Sequence, residues 1–226
     1  MFEKLDTCFN LLPIAFFLFF WKKSKSENSI WCITVYSFLY FAVGLLLWTW
    51  KKVPLLYDFC TFFEFWCFTA FFHSQLQNVF SKKLLRLNVL SFTLLYILFL
   101  VYTKNTPSVD KNTIKFDSIA IGVEMLLLLP FCFYYLYERT NDTTTLFIYN
   151  IYQFWIVLGI VLYLAGTFFI YIFATSLSLH ELEKYWVVTN LFSILRSCLF
   201  SLAIFYYAKP PKNNTLTTDF EVSYFN

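Results

Sequence analysis

The chain has 226 residues, of which 59% are hydrophobic, 24% are aromatic and only 14% are charged. Ordinary globular domains are about 45–50% apolar and about 25% charged, and a soluble protein of this size needs more polar residues to cover its surface. The composition therefore indicates an integral membrane protein. The formal net charge of +3 is too small and too scattered to indicate nucleic-acid binding.

The N-terminal segment is predicted to be the first membrane helix. It begins Met-Phe-Glu-Lys-Leu-Asp and continues into the apolar run from Leu11 to Trp21. A removable signal peptide has a net-basic start and a small-x-small cleavage site. The segment has neither feature, so we expect it to remain in the protein.

Seven stretches of the chain have the length and polarity of membrane-spanning helices. Such a helix needs roughly 20 mainly apolar residues, whereas a barrel strand needs only about ten residues of alternating polarity. The fold class predicted is therefore all-α, a polytopic membrane protein with a seven-transmembrane-helix bundle. The stretches cover about residues 3–21, 29–50, 54–73, 84–102, 116–137, 148–174 and 186–207. We expect one seven-helix domain over residues 1–208, followed by a short disordered tail over residues 209–226.

Basic residues between the stretches predict the orientation, since Lys and Arg concentrate in cytoplasmic loops. Seven lie on the side of the N-terminus: Lys4, Lys51, Lys52, Lys104, Lys111, Lys115 and Lys184. Nine lie on the opposite side: Lys22, Lys23, Lys25, Lys82, Lys83, Arg86, Arg139, Lys209 and Lys212. This small excess predicts that the N-terminus is outside and the C-terminus is cytoplasmic.

Three formally charged residues lie well inside the predicted spans: Glu64, Glu124 and Arg196. Each costs roughly 2.5–3.5 kcal/mol at mid-membrane, so each should face the bundle interior and find a partner. At 1.5 Å per residue all three lie about 12–15 Å below the same surface, where they could meet in one polar pocket. Because two carboxyl groups face one guanidinium, we expect one Glu to keep a proton or to hold a cation. Two interpretations stay open: a structural ion pair that fixes helix register, or a site for a ligand, proton or ion.

The sixth and seventh predicted helices add further candidates. Gly159, Tyr163 and Gly166 fall on one stripe, where the two glycines would let a neighbouring backbone approach closely. We therefore assign Gly159 and Gly166 to helix packing. Tyr163, Trp155 and Asn190 join the candidate pocket for a ligand or proton, with Asn190 as a hydrogen-bond donor across helices.

The sequence contains no visible catalytic or metal-binding constellation. All six cysteines lie in apolar stretches without a C-x-x-C pair, which is typical of small buried hydrophobes rather than of disulfide or zinc sites. Cys60, Glu64 and Cys67 share a helix face, but no histidine lies on that stripe. Two histidines, His73 and His180, cannot form a three-histidine zinc centre. The common hydrolase, metalloprotease and phosphate-loop motifs do not occur, so we predict no cofactor, no metal and no enzymatic activity.

Four motifs resemble an uncharacterised family of seven-span membrane proteins from the Bacteroidetes lineage, which is similar to the membrane module of some sensor histidine kinases. They are Tyr57-Asp58-Phe59 leading to Glu64-Phe65, Glu124-Met125-Leu126-Leu127, Phe154 to Ile160 with Tyr163 and Gly166, and Asn190 to Leu195. Family members tend to carry a neutral amide at the position of Arg196, so a Glu–Arg pair is not a family feature. The resemblance implies a sensory or accessory role in a bacterial inner membrane, with no established activity.

Two functions are therefore predicted. The first is a receptor-like, sensory or accessory module with an outward-opening polar pocket. The residues after the last predicted helix are too few for an output domain, so we expect a separate membrane or signalling protein as a partner, besides membrane lipids and a small ligand. The alternative is a small proton- or cation-coupled transporter, although we find neither an internal repeat nor a helix broken by Gly or Pro. A lipid-modifying membrane enzyme is less favoured.

Overall fold

The computed structural model of the protein describes residues 2–49, 54–105, 113–141, 147–173 and 179–209, and within them every regular element is helical. The prediction of an all-α protein is confirmed for this part of the chain. The helices are α1 (Phe2–Phe9), α2 (Leu11–Phe19), α3 (Trp21–Ser24), α4 (Asn28–Thr49), α5 (Pro54–Gln75), α6 (Val79–Asn105), α7 (Thr113–Thr140), α8 (Tyr152–Phe173) and α9 (Leu179–Ala208), with a 3₁₀ turn at Ile148–Asn150.

Five of these helices contain a stretch that is long and apolar enough to cross a membrane. The stretches are Asn28–Trp48, Val79–Val101, Ala120–Thr140, Tyr152–Phe173 and Lys184–Ala208. Their number supports a multi-pass membrane protein. The other two predicted spans correspond to the α1–α3 segment and to the 22-residue helix α5, so a total of seven spans stays a prediction.

The first segment differs from its prediction, because it is interrupted rather than continuous. α1 ends and α2 begins around Asn10. Pro13, three residues further on, has no backbone N–H and cannot donate to the carbonyl of Phe9, which is the usual cause of such an interruption. A second interruption follows at Phe20, whose φ of −101° and ψ of 22° lie outside the helical region. The expectation of unbroken helices was therefore wrong for this segment.

Six segments form a closed ring, in the order α4, α5, α7, α8, α9 and the α1–α2 segment, which returns to α4. α6 lies outside the ring and packs against α5 and α7. Because α9 contacts α8 on one side and the first segment on the other, it joins the two ends of the described chain. Polar side chains from several helices can therefore meet beside α9.

α8 and α9 pack closely along the glycine stripe. A Cβ atom added at Gly159 would lie 3.2 Å from Phe200 Cε1 and 3.3 Å from Leu199 Cβ. At Gly166 it would lie 2.5 Å from the ring of Phe192. Tyr163, between the two glycines, is therefore held close to α9.

Several helix bounds differ from those predicted from hydropathy. α6 begins at Val79 instead of residue 84, and α9 begins at Leu179 instead of residue 186. The added residues of α9 lie in polar sequence, where hydropathy gives no signal. α6 instead begins with Val79 and Phe80, ahead of the polar residues Ser81 to Lys83. α8 begins later than predicted, at Tyr152, because Ile148–Asn150 forms the 3₁₀ turn. Of the predicted tail, residues 210–226 lie outside the described residues.

Candidate functional site: a buried charge cluster

Arg196 lies at the centre of the candidate site. Its side chain is completely buried on α9, and its Nη1 atom lies 3.3 Å from Glu64 Oε1 on α5. The two residues are 132 positions apart in the sequence, so their pairing depends on the ring of helices. This contact is the one ion pair formed within the described residues.

Three tyrosine rings surround the guanidinium group of Arg196. Its Cζ atom lies 3.9 Å from the ring centroid of Tyr163, 4.8 Å from that of Tyr36 and 5.5 Å from that of Tyr40. Tyr36 and Tyr40 are one turn apart on α4, and Tyr163 comes from α8. Such contacts stabilise a desolvated cation by about 2 kcal/mol or more at the best sites. We call these three residues the tyrosine cage.

The two buried glutamates have opposite surroundings. Glu64 accepts a hydrogen bond from Tyr36 at 3.3 Å, a short one from Tyr40 and a charge-assisted one from Arg196. Three donors of this kind suit an ionised carboxylate. Glu124 on α7 is only 2% exposed, and its Oε1 atom has no hydrogen-bond partner within the described residues. It lies within electrostatic range of Glu64 and Arg196, and no hydrogen bond within the described residues joins it to either.

α1 contributes a third acidic residue. Asp6 lies close to Ser193 and within electrostatic range of Arg196, and its buried Oδ1 atom has no hydrogen-bond partner among the described residues. Ser193 accepts a 2.9 Å hydrogen bond from Arg196 Nη2. At the interruption of the first segment, Asn10 accepts a 3.2 Å hydrogen bond from Ser197 on α9. The interrupted first segment is therefore hydrogen-bonded to the turn of α9 that carries Arg196.

We call Asp6, Glu64, Glu124 and Arg196 the charge cluster. Three carboxyl groups share one guanidinium in a buried site, so full ionisation would leave an excess of two negative charges. Low local polarity makes such an excess unfavourable. The arrangement can therefore exchange a proton, or rearrange its ion pair when a cationic or hydrogen-bonding group approaches. No group of three His, Cys, Asp or Glu side chains within the described residues is arranged to hold a metal ion.

The structure brings four of the predicted pocket residues together: Glu64, Glu124, Arg196 and Tyr163. Asn190 is buried on α9, but no hydrogen bond between described residues joins it to the cluster. Trp155 lies apart from it, because its indole N–H donates to the Tyr149 carbonyl at 2.8 Å and its ring stacks on Tyr206 near the start of α8.

Sequence reasoning missed six residues at or next to the charge cluster. They are Asp6, Asn10, Tyr36, Tyr40, Ser193 and Ser197. The spacing of Tyr36 and Tyr40, one turn apart within an apolar helix, was a signal that could have indicated a shared polar face. Pro13, three residues after Asn10, could likewise have indicated an interrupted helix.

Comparison with known proteins adds no further assignment. No family model, no curated protein sequence and no solved structure matches the chain.

Proposed function

We propose that this chain is a receptor-like sensory module of a bacterial inner membrane, in which the charge cluster is the responding element. The observation that carries the proposal concerns Glu124: its buried Oε1 atom has no hydrogen-bond partner among the described residues, within electrostatic range of a Glu64 that accepts three hydrogen bonds. A buried polar atom without a partner is costly, and charged groups inside membrane helices most often mark binding sites or proton relays. Glu124 is therefore a position where a proton or a ligand donor would supply a missing hydrogen bond.

The signal would act through the ion pair. When a proton or ligand donor binds at Glu124, the balance of charge around Arg196 changes, and with it the strength of the contact to Glu64. Arg196 and Glu64 join α9 to α5, and the tyrosine cage extends the contact to α4 and α8. A change at one carboxyl group would thus alter the contacts among four helices. If these contacts have two alternative arrangements, a ligand can shift the balance between them.

We further propose that seven segments cross the membrane, with the N-terminus outside and the C-terminus cytoplasmic, and that a separate membrane or signalling protein receives the response. The resemblance to seven-span Bacteroidetes proteins supports this role. Five described helices have the length and composition that it needs.

The proposal is tested by native mass spectrometry of the purified chain beside two variants, Glu124→Gln and Glu138→Gln. The second variant removes the same charge at the end of α7, outside the cluster. We expect a small molecule bound to the parent and to Glu138→Gln, and its loss from Glu124→Gln in a protein that stays folded. Equal occupancy of all three samples would contradict a site at Glu124.

The transporter alternative gains one supporting observation. The first segment is interrupted at Asn10, which contacts α9 beside Arg196, and interrupted helices often contribute to the substrate sites of secondary transporters. The same purified samples distinguish the two functions after reconstitution into liposomes. Substrate-dependent proton uptake by the parent and its absence in Glu124→Gln would favour a transporter over a receptor.

A further inference from the structure

One end of the bundle carries a concentration of cations. α4, α6 and α8 begin there, and α3, α5, α7 and α9 end there. Contacts across this end include Lys23 Nζ with the Ala208 carbonyl at 2.7 Å and the backbone N–H of Gln77 with Glu138 at 3.5 Å. We call it the basic end.

Most cations at the basic end lie where a helix favours them. Lys22 and Lys23 are in the last turn of α3, Arg139 is in the last turn of α7, and Lys209 follows α9. The C-terminus of a helix carries partial negative charge, which each of these residues complements. Lys23 also donates to a carbonyl at the end of α9, as noted above. These cations need no external partner.

The start of α6 is the exception. Lys82 is in its first turn and Lys83 and Arg86 follow within the next four residues, near the positive end of a 27-residue helix whose first turn contains no acidic residue. Asn78 caps the helix by accepting a 2.9 Å hydrogen bond from the N–H of Phe80, which adds no negative charge. A cation in the first turn of a helix is unfavourable, and Lys82, Lys83 and Arg86 also repel one another, so an anion would stabilise this corner.

No carboxylate within the described residues supplies that anion. Lys82, Lys83 and Arg86 form no ion pair there, and Glu138, the acidic residue at this corner, accepts from the backbone of Gln77. Arg86 instead directs Nε and Nη2 towards His73 Nε2, at 3.3 Å and 3.2 Å. Its exposed guanidinium is thus held in place by a neighbour that leaves its charge unneutralised.

We propose that His73, Lys82, Lys83 and Arg86 form a binding site for the phosphate group of an anionic phospholipid. Arginine suits phosphate because its planar donors match the phosphate oxygens. A lipid fits better than a soluble phosphate, because α6 lies outside the ring and exposes Leu87 and Leu90 by 62% and 69% directly beyond the cations. Acyl chains can lie along this face while the headgroup binds above them.

The test uses the full chain reconstituted in vesicles of equal parts phosphatidylcholine and phosphatidylglycerol, then transferred to neutral detergent for native mass spectrometry. The test variant is Lys82→Gln/Lys83→Gln/Arg86→Gln. The matched control, Lys22→Gln/Lys25→Gln/Lys209→Gln, removes the same charge from the same end. Each basic residue near a membrane surface changes lipid affinity roughly fivefold, so we expect retained phosphatidylglycerol to fall at least about tenfold in the test variant. The control should retain it.

Two outcomes would overturn the proposal. If both triple variants lose retained phosphatidylglycerol equally, the lipid is bound by diffuse surface charge and not by this site. If inorganic phosphate alone protects the protein from thermal unfolding, the ligand of the site is a soluble phosphate. If the triple variant does not fold, the same measurement on the single variant Arg86→Gln tests the site. We expect it to lose roughly fivefold of the retained lipid, and undiminished retention would contradict the site.

Discussion

At the scale of single residues, the stability of the bundle depends on how the buried guanidinium group of Arg196 is accommodated. Arg196 is balanced by Glu64 and lies against three aromatic rings, yet its Nε atom has no hydrogen-bond partner within the described residues. A buried ion pair contributes less to stability than the loss of one partner takes away, because the remaining charge is left uncompensated. The pair is therefore best tested by removing its members separately and together.

We predict that Arg196→Leu lowers the free energy of unfolding by about 3–5 kcal/mol, because it leaves Glu64 buried without its cation. The double variant Arg196→Leu/Glu64→Gln should recover most of that loss. Thermal unfolding in detergent measures both. If the double variant is as unstable as the single one, the packing of Arg196 against the tyrosine cage matters more than charge balance.

At the scale of elements, α1 packs against both α9 and α4, and its contact with α4 at Gly44 is close. A Cβ atom added at Gly44 would lie 2.5 Å from Thr7 Cγ2 and 2.6 Å from Thr7 Oγ1. Thr7 is short and branched at Cβ, so it cannot turn aside without moving the backbone of α1. The same helix holds Asp6 beside Arg196, and Gly44 therefore helps to position the charge cluster.

We predict that Gly44→Ala lowers the free energy of unfolding by about 1–3 kcal/mol, because the added methyl group overpacks this contact. Gly122→Ala is the matched control, since a Cβ atom there would lie 3.8 Å from Ile172 Cγ1, an ordinary contact. The control should be neutral or more stable by up to about 1 kcal/mol, as alanine favours a helix. Equal stability of the two variants would show that α1 does not dock closely on α4.

At the scale of the whole molecule, the proposed number of seven spans has a direct consequence for the termini. With seven segments crossing, the two termini lie on opposite sides of the membrane. We predict that a periplasm-active reporter is active when fused at the N-terminus and inactive after Lys209, while a cytoplasm-active reporter gives the opposite result. A reporter inserted between α4 and α5 serves as the control and should match the N-terminal fusion. Activity of both terminal fusions on one side would contradict seven spans.

The sequence predicted the positions of the helices far better than it predicted which side chains of different helices are in contact. The length and hydropathy of the apolar stretches were sufficient to predict that α4 to α9 exist as helices, because the thickness of a membrane sets the length of a span. The energetic cost of a charge in lipid was sufficient to single out Glu64, Glu124 and Arg196. Tyr36 and Tyr40 were missed because tyrosine is common in membrane helices, and the rotation of α4 that turns both towards Arg196 is set by tertiary packing.

The ring of helices also constrains the order in which the protein can assemble. Glu64 is synthesised 132 residues before Arg196, and the last described helix must arrive before the two can meet. Until then Asp6, Glu64 and Glu124 lack the arginine of the charge cluster, and α1–α2 has no α9 to pack against. The step that neutralises the interior therefore waits for α9, so a chain stalled before α9 exposes uncompensated acidic residues that membrane quality control could recognise.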